Sequence, residues 1–171
     1  FINPAWAENR VLFIGNSFTI GSGESVAEIF EALAIAGGHE KPISVMRADG
    51  GKDYQWHAAN APTQTAITSQ PWTHVILQNY STEPTHITNG GIADHQTFGT
   101  QLYHQILANN NATQVILFET WSRAADHALI SGTSTAGTFA TTAEMQNELR
   151  ENYQDLATTL TTNNPENPSA L

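Results

Sequence analysis

Ser17 lies in the run Ile14-Gly15-Asn16-Ser17-Phe18-Thr19, directly after the apolar stretch Val11-Leu12-Phe13-Ile14 and just before a helical pattern. A serine in a tight turn between a buried strand and a helix stands where an α/β protein presents a nucleophile or a ligand-binding hydroxyl. Serine at a helix start also accepts backbone N–H bonds, so the turn alone leaves a capping role open. As a nucleophile it needs a general base within hydrogen-bond reach or one water away.

Further chemistry-bearing side chains follow three other apolar runs. Asp49, Gly50, Gly51, Lys52, Asp53 and His57 come after Ile43 to Met46. Gln78, Asn79, Ser81, Glu83 and His86 come after His74 to Leu77, and Glu119, Ser122, Arg123, Asp126 and His127 after Val115 to Phe118. A hydroxyl, a Gly-Gly turn, side-chain amides and histidines at one sheet edge are the parts of acyl transfer. The hydroxyl attacks a carbonyl, and N–H donors hold the oxyanion, each worth about 3–4 kcal/mol of barrier. Plainer roles exist for each residue. Gly50-Gly51 suits a turn with positive φ, Asn79 can satisfy loop backbone, and Trp56, Trp72 and Trp121 can pack the core or its rim. Trp121, beside the presumed site, could instead line an acyl or sugar pocket. Asp53, His57, Glu83, His86, Asp126 and His127 carry the imidazole and carboxylate groups that suit zinc, but no close ligand spacing such as His-Glu-x-x-His is present.

These groups need a scaffold, and the pattern supplies one. The four apolar runs read as buried parallel strands alternating with helices. Glu24 to Ala36 places Val26, Ile29, Phe30 and Leu33 on one face before Gly37-Gly38. Pro62 to Ser69 starts with a proline suited to a first helical turn. Ile92 to Ala108 gathers Phe98, Leu102, Tyr103, Ile106 and Leu107. Thr141 and Glu144 form a capping-box pattern ahead of the stripe Met145, Leu149, Tyr153, Leu156 and Leu160. Alternation of this kind predicts a three-layer α/β/α domain with a doubly wound parallel sheet of four strands. Ser131 to Thr138 reads as a flexible loop and Asn163 to Pro168 as a turn-rich tail.

The composition narrows the function classes. The 171 residues carry 6 Lys plus Arg against 16 Asp plus Glu, a formal charge of -10. Nucleic acid, anionic membranes and strongly anionic substrates are therefore disfavoured, and neutral esters fit better. No apolar run reaches the ~20 residues of a membrane span. With no cysteine, there is neither a thiolate nucleophile nor a disulfide. Ala5-Trp6-Ala7 has the form of a signal-peptidase site, so residues 1–7 read as the tail of a secretory leader and the protein as secreted or periplasmic, with 8–171 as one domain.

Taken in order, the blocks resemble the SGNH, or GDSL-like, hydrolase family. Ile14-Gly15-Asn16-Ser17-Phe18-Thr19 is similar to its first block, with Asn16 where Asp is usual, and the resemblance makes Ser17 the nucleophile. Asp49-Gly50-Gly51 resembles the second block and implies an oxyanion N–H from Gly51, or from Gly50. Val75 to Ser81 resembles the third and implies an amide donor from Asn79, or from Gln78. The resemblance implies a flavodoxin-like fold, hydrolysis of small acyl or acetyl esters, and no metal or organic cofactor. The family's fourth block, Asp-x-x-His, supplies the general base, and no Asp-x-x-His occurs in this sequence. The expectation is a C-terminally truncated domain, or a substitute base: His86 with Glu83, His127 with Asp126, or His57. A missing fifth strand would leave the fourth as an exposed edge open to a homodimer or strand swap. A non-catalytic carbonyl- or acetyl-binding module is the alternative.

Overall fold

The computed structural model describes residues 9–88, 91–134 and 138–165. The expected leader remnant at 1–7, the centre of the Ser131–Thr138 loop and the tail beyond Pro165 lie outside them. The elements run β1 (Arg10–Gly15), α1 (Ser17–Ile20), α2 (Val26–Ala36), β2 (Ile43–Ala48), α3 (Tyr54–Ala59), α4 (Ala61–Thr68), β3 (His74–Leu77), α5 (Gly91–Asn109), β4 (Gln114–Leu117), α6 (Ala128–Ser131) and α7 (Thr142–Asn163). The four strands form one parallel sheet in the order β2-β1-β3-β4. It is the expected doubly wound α/β sheet, with β4 at an edge.

Register decides where the chemistry gathers. Gly15 pairs with Ala48, Ile14 with Leu77, and Leu77 with Leu117. The carboxyl ends of all four strands are therefore level, and the residues that follow them share one rim.

The two sheet faces are covered unequally. Leu12, Ile14, Val75, Leu77, Val115 and Leu117 point to one side and are buried against Tyr54, Leu102, Tyr103, Ile106, Tyr153, Leu156 and Leu160. The predicted α7 stripe is thus wholly buried, and each such side chain contributes about 1.5–3 kcal/mol. Val11, Phe13 and Ile76 point the other way, toward α2. The α2 face behaves differently from expectation. Its helix starts with a complete Ser25–Glu28 capping box, yet Ile29, Phe30 and Leu33 stay exposed, Leu33 at 66%. Beside α2 a groove of about 410 Å³ runs over Val11, Phe13, Phe30, Ile76, Ile116 and Phe118. β2 is also less buried than a central strand because it forms the other edge.

Close packing on the covered side singles out Gly99 of α5. A Cβ there would lie 2.6 Å from Leu156 Cδ2 and 3.3 Å from a Tyr54 ring carbon. Gly99→Ala should therefore lower stability by about 1–3 kcal/mol through overpacking, despite the better helix propensity of alanine. Leu33→Gln, at an exposed position, should change it by less than about 0.5 kcal/mol. Urea unfolding of the two variants checks both.

Candidate active site

Ser17 opens α1 and is exposed, while Asn16 before it is fully buried. Three contacts fix this turn. Asn16 N–H donates to Gln78 Oε1 (2.9 Å), Asn16 Nδ2 donates to the Lys52 carbonyl (2.8 Å), and Asp49 N–H donates to the Gly15 carbonyl (3.2 Å). Asn16 Oδ1 also accepts Phe18 N–H (3.2 Å), so Asn16 rather than Ser17 caps the helix. The capping alternative for Ser17 is thereby removed, since its hydroxyl is not what satisfies the first turn. Gly15 is required: a Cβ would run into Thr19 Oγ1 and come within 2.7 Å of Gln78 Oε1.

Gly51 takes φ +73 with open space where a Cβ would stand, so the backbone conformation alone favours glycine. Its N–H makes no hydrogen bond among the described residues. The Ser17 N–H is likewise without a partner, as the first N–H of a helix must be unless something caps it. The β2–α3 loop that carries Gly51 is tied to the serine turn through the Lys52 carbonyl.

The two amides do something other than expected. Gln78 is fully buried. Its Oε1 accepts Asn16 N–H and the Thr19 hydroxyl (both 2.9 Å), and its Nε2 donates to the Asn79 carbonyl. Gln78 therefore builds the serine turn and is not an oxyanion donor. Asn79 is also fully buried. Its Oδ1 accepts Tyr54 N–H (2.9 Å) and Tyr80 N–H (2.8 Å), which fixes the amide orientation, so Nδ2 must donate to His95 Nδ1 (3.0 Å). The expected donor role of Asn79 is corrected: the chain leaving β3 runs beneath α5 and α7, and its amide faces the core.

Histidines expected as bases are engaged elsewhere. His57 is fully buried, with Nε2 donating to the Gly15 carbonyl (2.9 Å) and Nδ1 beside the Thr63 hydroxyl (3.0 Å). Burial lowers its pKa, against the Gly15 carbonyl that raises it, so the ring is neutral and positions the serine strand. His86 does not pair with Glu83. Its Nδ1 contacts Glu148 Oε2 (2.7 Å) and its N–H donates to Glu148 Oε1 (2.6 Å), because α7 rather than the local turn comes alongside. His127 caps α6 by accepting Leu129 N–H (3.2 Å), and its neighbour Asp126 is exposed. Among the described residues, no three His, Asp or Glu side chains come together as a metal-binding group. The six considered from sequence do not converge.

Sequence alone does not single out His95, and it places Arg123 after the fourth strand without a role. His95 stacks 5.5 Å from Tyr54 and meets Tyr153 edge-on at 4.8 Å, and burial pushes its pKa down to about 4. It looked like any polar position of an amphipathic helix. Arg123 lies over the Phe18 ring (5.7 Å), donates to the buried Ser81 hydroxyl (2.6 Å), and sits beside Trp121, whose ring is 4.4 Å from that of Phe18. Residues after β4 thereby reach the serine turn.

Glu83 is nearly buried and its pKa is pushed up to about 7, by burial first and then by the charges of Asp53 and Asp94. A carboxyl raised above its unfolded value favours folding while protonated. Stability from this group is therefore present below about pH 4.5 and is lost as pH rises through about 7. His95 acts in the opposite sense, favouring the fold above its unfolded value and losing that contribution as pH falls toward about 4.

No protein-family model matches this chain, and no curated protein matches it in sequence. Solved structures do match in shape. A candidate SGNH hydrolase from Slackia heliotrinireducens superposes with a TM-score of 0.68 at 20% identity, over 89% of this chain and 75% of that one. A DUF4886 family protein from Bacteroides uniformis gives 0.63 at 17% identity, over 90% of this chain and 64% of the other. The psychrotrophic esterase EstA from Pseudoalteromonas sp. gives 0.60 at 12% identity, over 90% and 74%. This chain has the α/β fold of the SGNH, GDSL-like hydrolases.

Two outcomes test the site's construction. Gln78→Leu leaves the buried Asn16 N–H and Thr19 hydroxyl without an acceptor and should cost about 2–4 kcal/mol, read by chemical denaturation. Glu83→Gln should stabilise the protein relative to the parent at pH 8 and change little near pH 4.5, read from melting temperatures across that range.

Proposed function

We propose that this protein is a serine ester hydrolase in which Ser17 attacks the carbonyl of a small acyl ester. One observation carries the reading. The exposed Ser17 tops a turn held by the buried Gln78 just after β3 and by half-buried Asp49 and Lys52 in the loop after β2, and among the described residues the Ser17 N–H and the Gly51 N–H on that loop are unpaired. Fixed donors of this kind suit a tetrahedral oxyanion because they need no reorganisation as charge develops. Asn79 contributes indirectly, by anchoring Tyr54 N–H and Tyr80 N–H next to the site. The shared fold with an esterase and a candidate SGNH hydrolase supports hydrolysis over other acyl-transfer chemistry.

Ser17 Oγ would form the bond to the carbonyl carbon and lose its proton to a base. The alkoxide leaving group would depart with a proton, and water would then release the acid. Among the described histidines, His57 and His95 are enclosed and hydrogen-bonded, and His127 serves as a cap. His86 is the one with a carboxylate partner, Glu148, and a pair of this kind orients an imidazole for proton transfer.

A positioned general base contributes about 10²–10⁴-fold, and no histidine hydrogen-bonds Ser17 among the described residues, so the chain should turn over p-nitrophenyl acetate slowly, and added imidazole should accelerate it. Ser17→Ala should abolish both the slow rate and the imidazole-dependent gain over buffer. Loss of the slow rate in His86→Ala would assign that residue as the base. An unchanged rate in Ser17→Ala overturns the nucleophile and leaves the carbonyl-binding module as the reading.

A further inference from the structure

Trp121 is 55% exposed although it is the largest kind of apolar side chain. It is nonetheless held in place, with its ring 4.4 Å from that of Phe18 at an interplanar angle of 63°. Phe18 is the residue next to Ser17, so the aromatic surface is one position away from the hydroxyl. Over the same Phe18 ring, at 5.7 Å, lies the guanidinium of Arg123.

Three of the six cations, Arg10, Lys52 and Arg123, have no carboxylate partner among the described residues, and Arg123 is the one that lies over the Phe18 ring beside Ser17. Lys41, Arg47 and Arg150 pair with Glu31, Asp49 and Glu119. Among the described residues Arg123 has no carboxylate partner: Nη2 donates to the neutral Ser81 hydroxyl, and the enclosed Nε, like that of Arg47, has no hydrogen-bond partner there. A guanidinium without a carboxylate partner therefore stands beside the residue next to Ser17. Its ready partner is an incoming oxyanion, since a guanidinium presents a planar fork of donors that matches a carboxylate. The exposed indole beside it offers a face for a flat ring, whose stacking is favoured over an aliphatic group of similar area.

We propose that Phe18, Trp121 and Arg123 form a substrate subsite beside Ser17 for a planar aromatic group bearing a carboxylate. The ring lies against Trp121 and the carboxylate meets the guanidinium of Arg123. This deepens the ester-hydrolase reading and rests on it for the chemistry, while the binding itself does not depend on Ser17. It also refines the expectation drawn from net charge, because a locally unpaired cation admits a single anionic group that the surface as a whole would repel.

Binding of 4-fluorobenzoate to the full chain, followed by fluorine NMR titration, tests the subsite. Parent and Ser17→Ala should bind it alike, while Arg123→Gln and Trp121→Ala should each weaken binding by about tenfold or more. Neutral 4-fluorobenzamide should bind the parent more weakly than the acid by a similar factor, and Arg123→Lys should fall between parent and Gln because it keeps charge without the fork. Equal binding of acid and amide, or undiminished binding in Trp121→Ala, overturns the proposal, as does no binding to the parent. If Arg123→Gln fails to fold, the exposed Trp121 variant and the acid–amide comparison decide. Failure of Ser17→Ala to abolish ester turnover would count against the nucleophile alone, since that variant's fluorobenzoate titration is read separately.

Discussion

The buried carboxamide of Gln78 is the contact on which the site depends. Its single oxygen accepts both the Asn16 N–H and the Thr19 hydroxyl, and its nitrogen donates onward to the Asn79 carbonyl. One side chain at the end of β3 thus holds the turn at the end of β1. No apolar residue could replace it, because two donors would be buried without acceptors. Nor could a residue with a Cβ stand at Gly15, where the same oxygen already fills the space. The exposed hydroxyl of Ser17 is consequently mounted on groups that are themselves almost wholly removed from water.

Behind that turn a second polar layer runs through the core. Tyr54 donates its hydroxyl to the Leu77 carbonyl (3.1 Å), and the Tyr153 hydroxyl accepts Asn79 N–H (3.2 Å). Burial raises both phenols well above the ordinary tyrosine range, so they remain neutral donors and acceptors. His95 is kept neutral for the same reason and accepts from Asn79. Asn79 links Tyr54, Tyr153 and His95 by hydrogen bonds, and such networks favour one arrangement over near alternatives. The layer converts packing of α3, α5 and α7 into a fixed position for the loops after β2 and β3.

The unequal sheet faces separate rigidity from accessibility. On one side α3, α4, α5 and α7 enclose the large core, and His57 reaches from α3 to the Gly15 carbonyl. On the other side α2 shelters only Val11, Phe13, Ala27 and their half-buried neighbours, and the apolar groove over Ile76, Ile116 and Phe118 stays open. The serine turn is supported from the enclosed side by His57. Its outer flank is formed instead by Phe18, Trp121 and Arg123, which join residues far apart in the chain.

Sequence by itself determined the local and periodic features. All four strands, the α5 and α7 helices and the buried stripe Met145, Leu149, Tyr153, Leu156 and Leu160 follow from apolar spacing, because burial on one face imposes a period that survives without tertiary information. The Ser17 turn and the positive-φ glycine at Gly51 were legible for the same local reason. Helix α3 was not, since Tyr54–Ala59 is too short to show a period. What only the tertiary structure decided was partnership. Gln78 and Asn79 turn inward rather than toward a substrate, His86 takes Glu148 in place of Glu83, and Arg123 arrives over Phe18. A hydrogen bond or ion pair is set by distances of about 3 Å between side chains that can lie sixty residues apart, and only the packed chain specifies them.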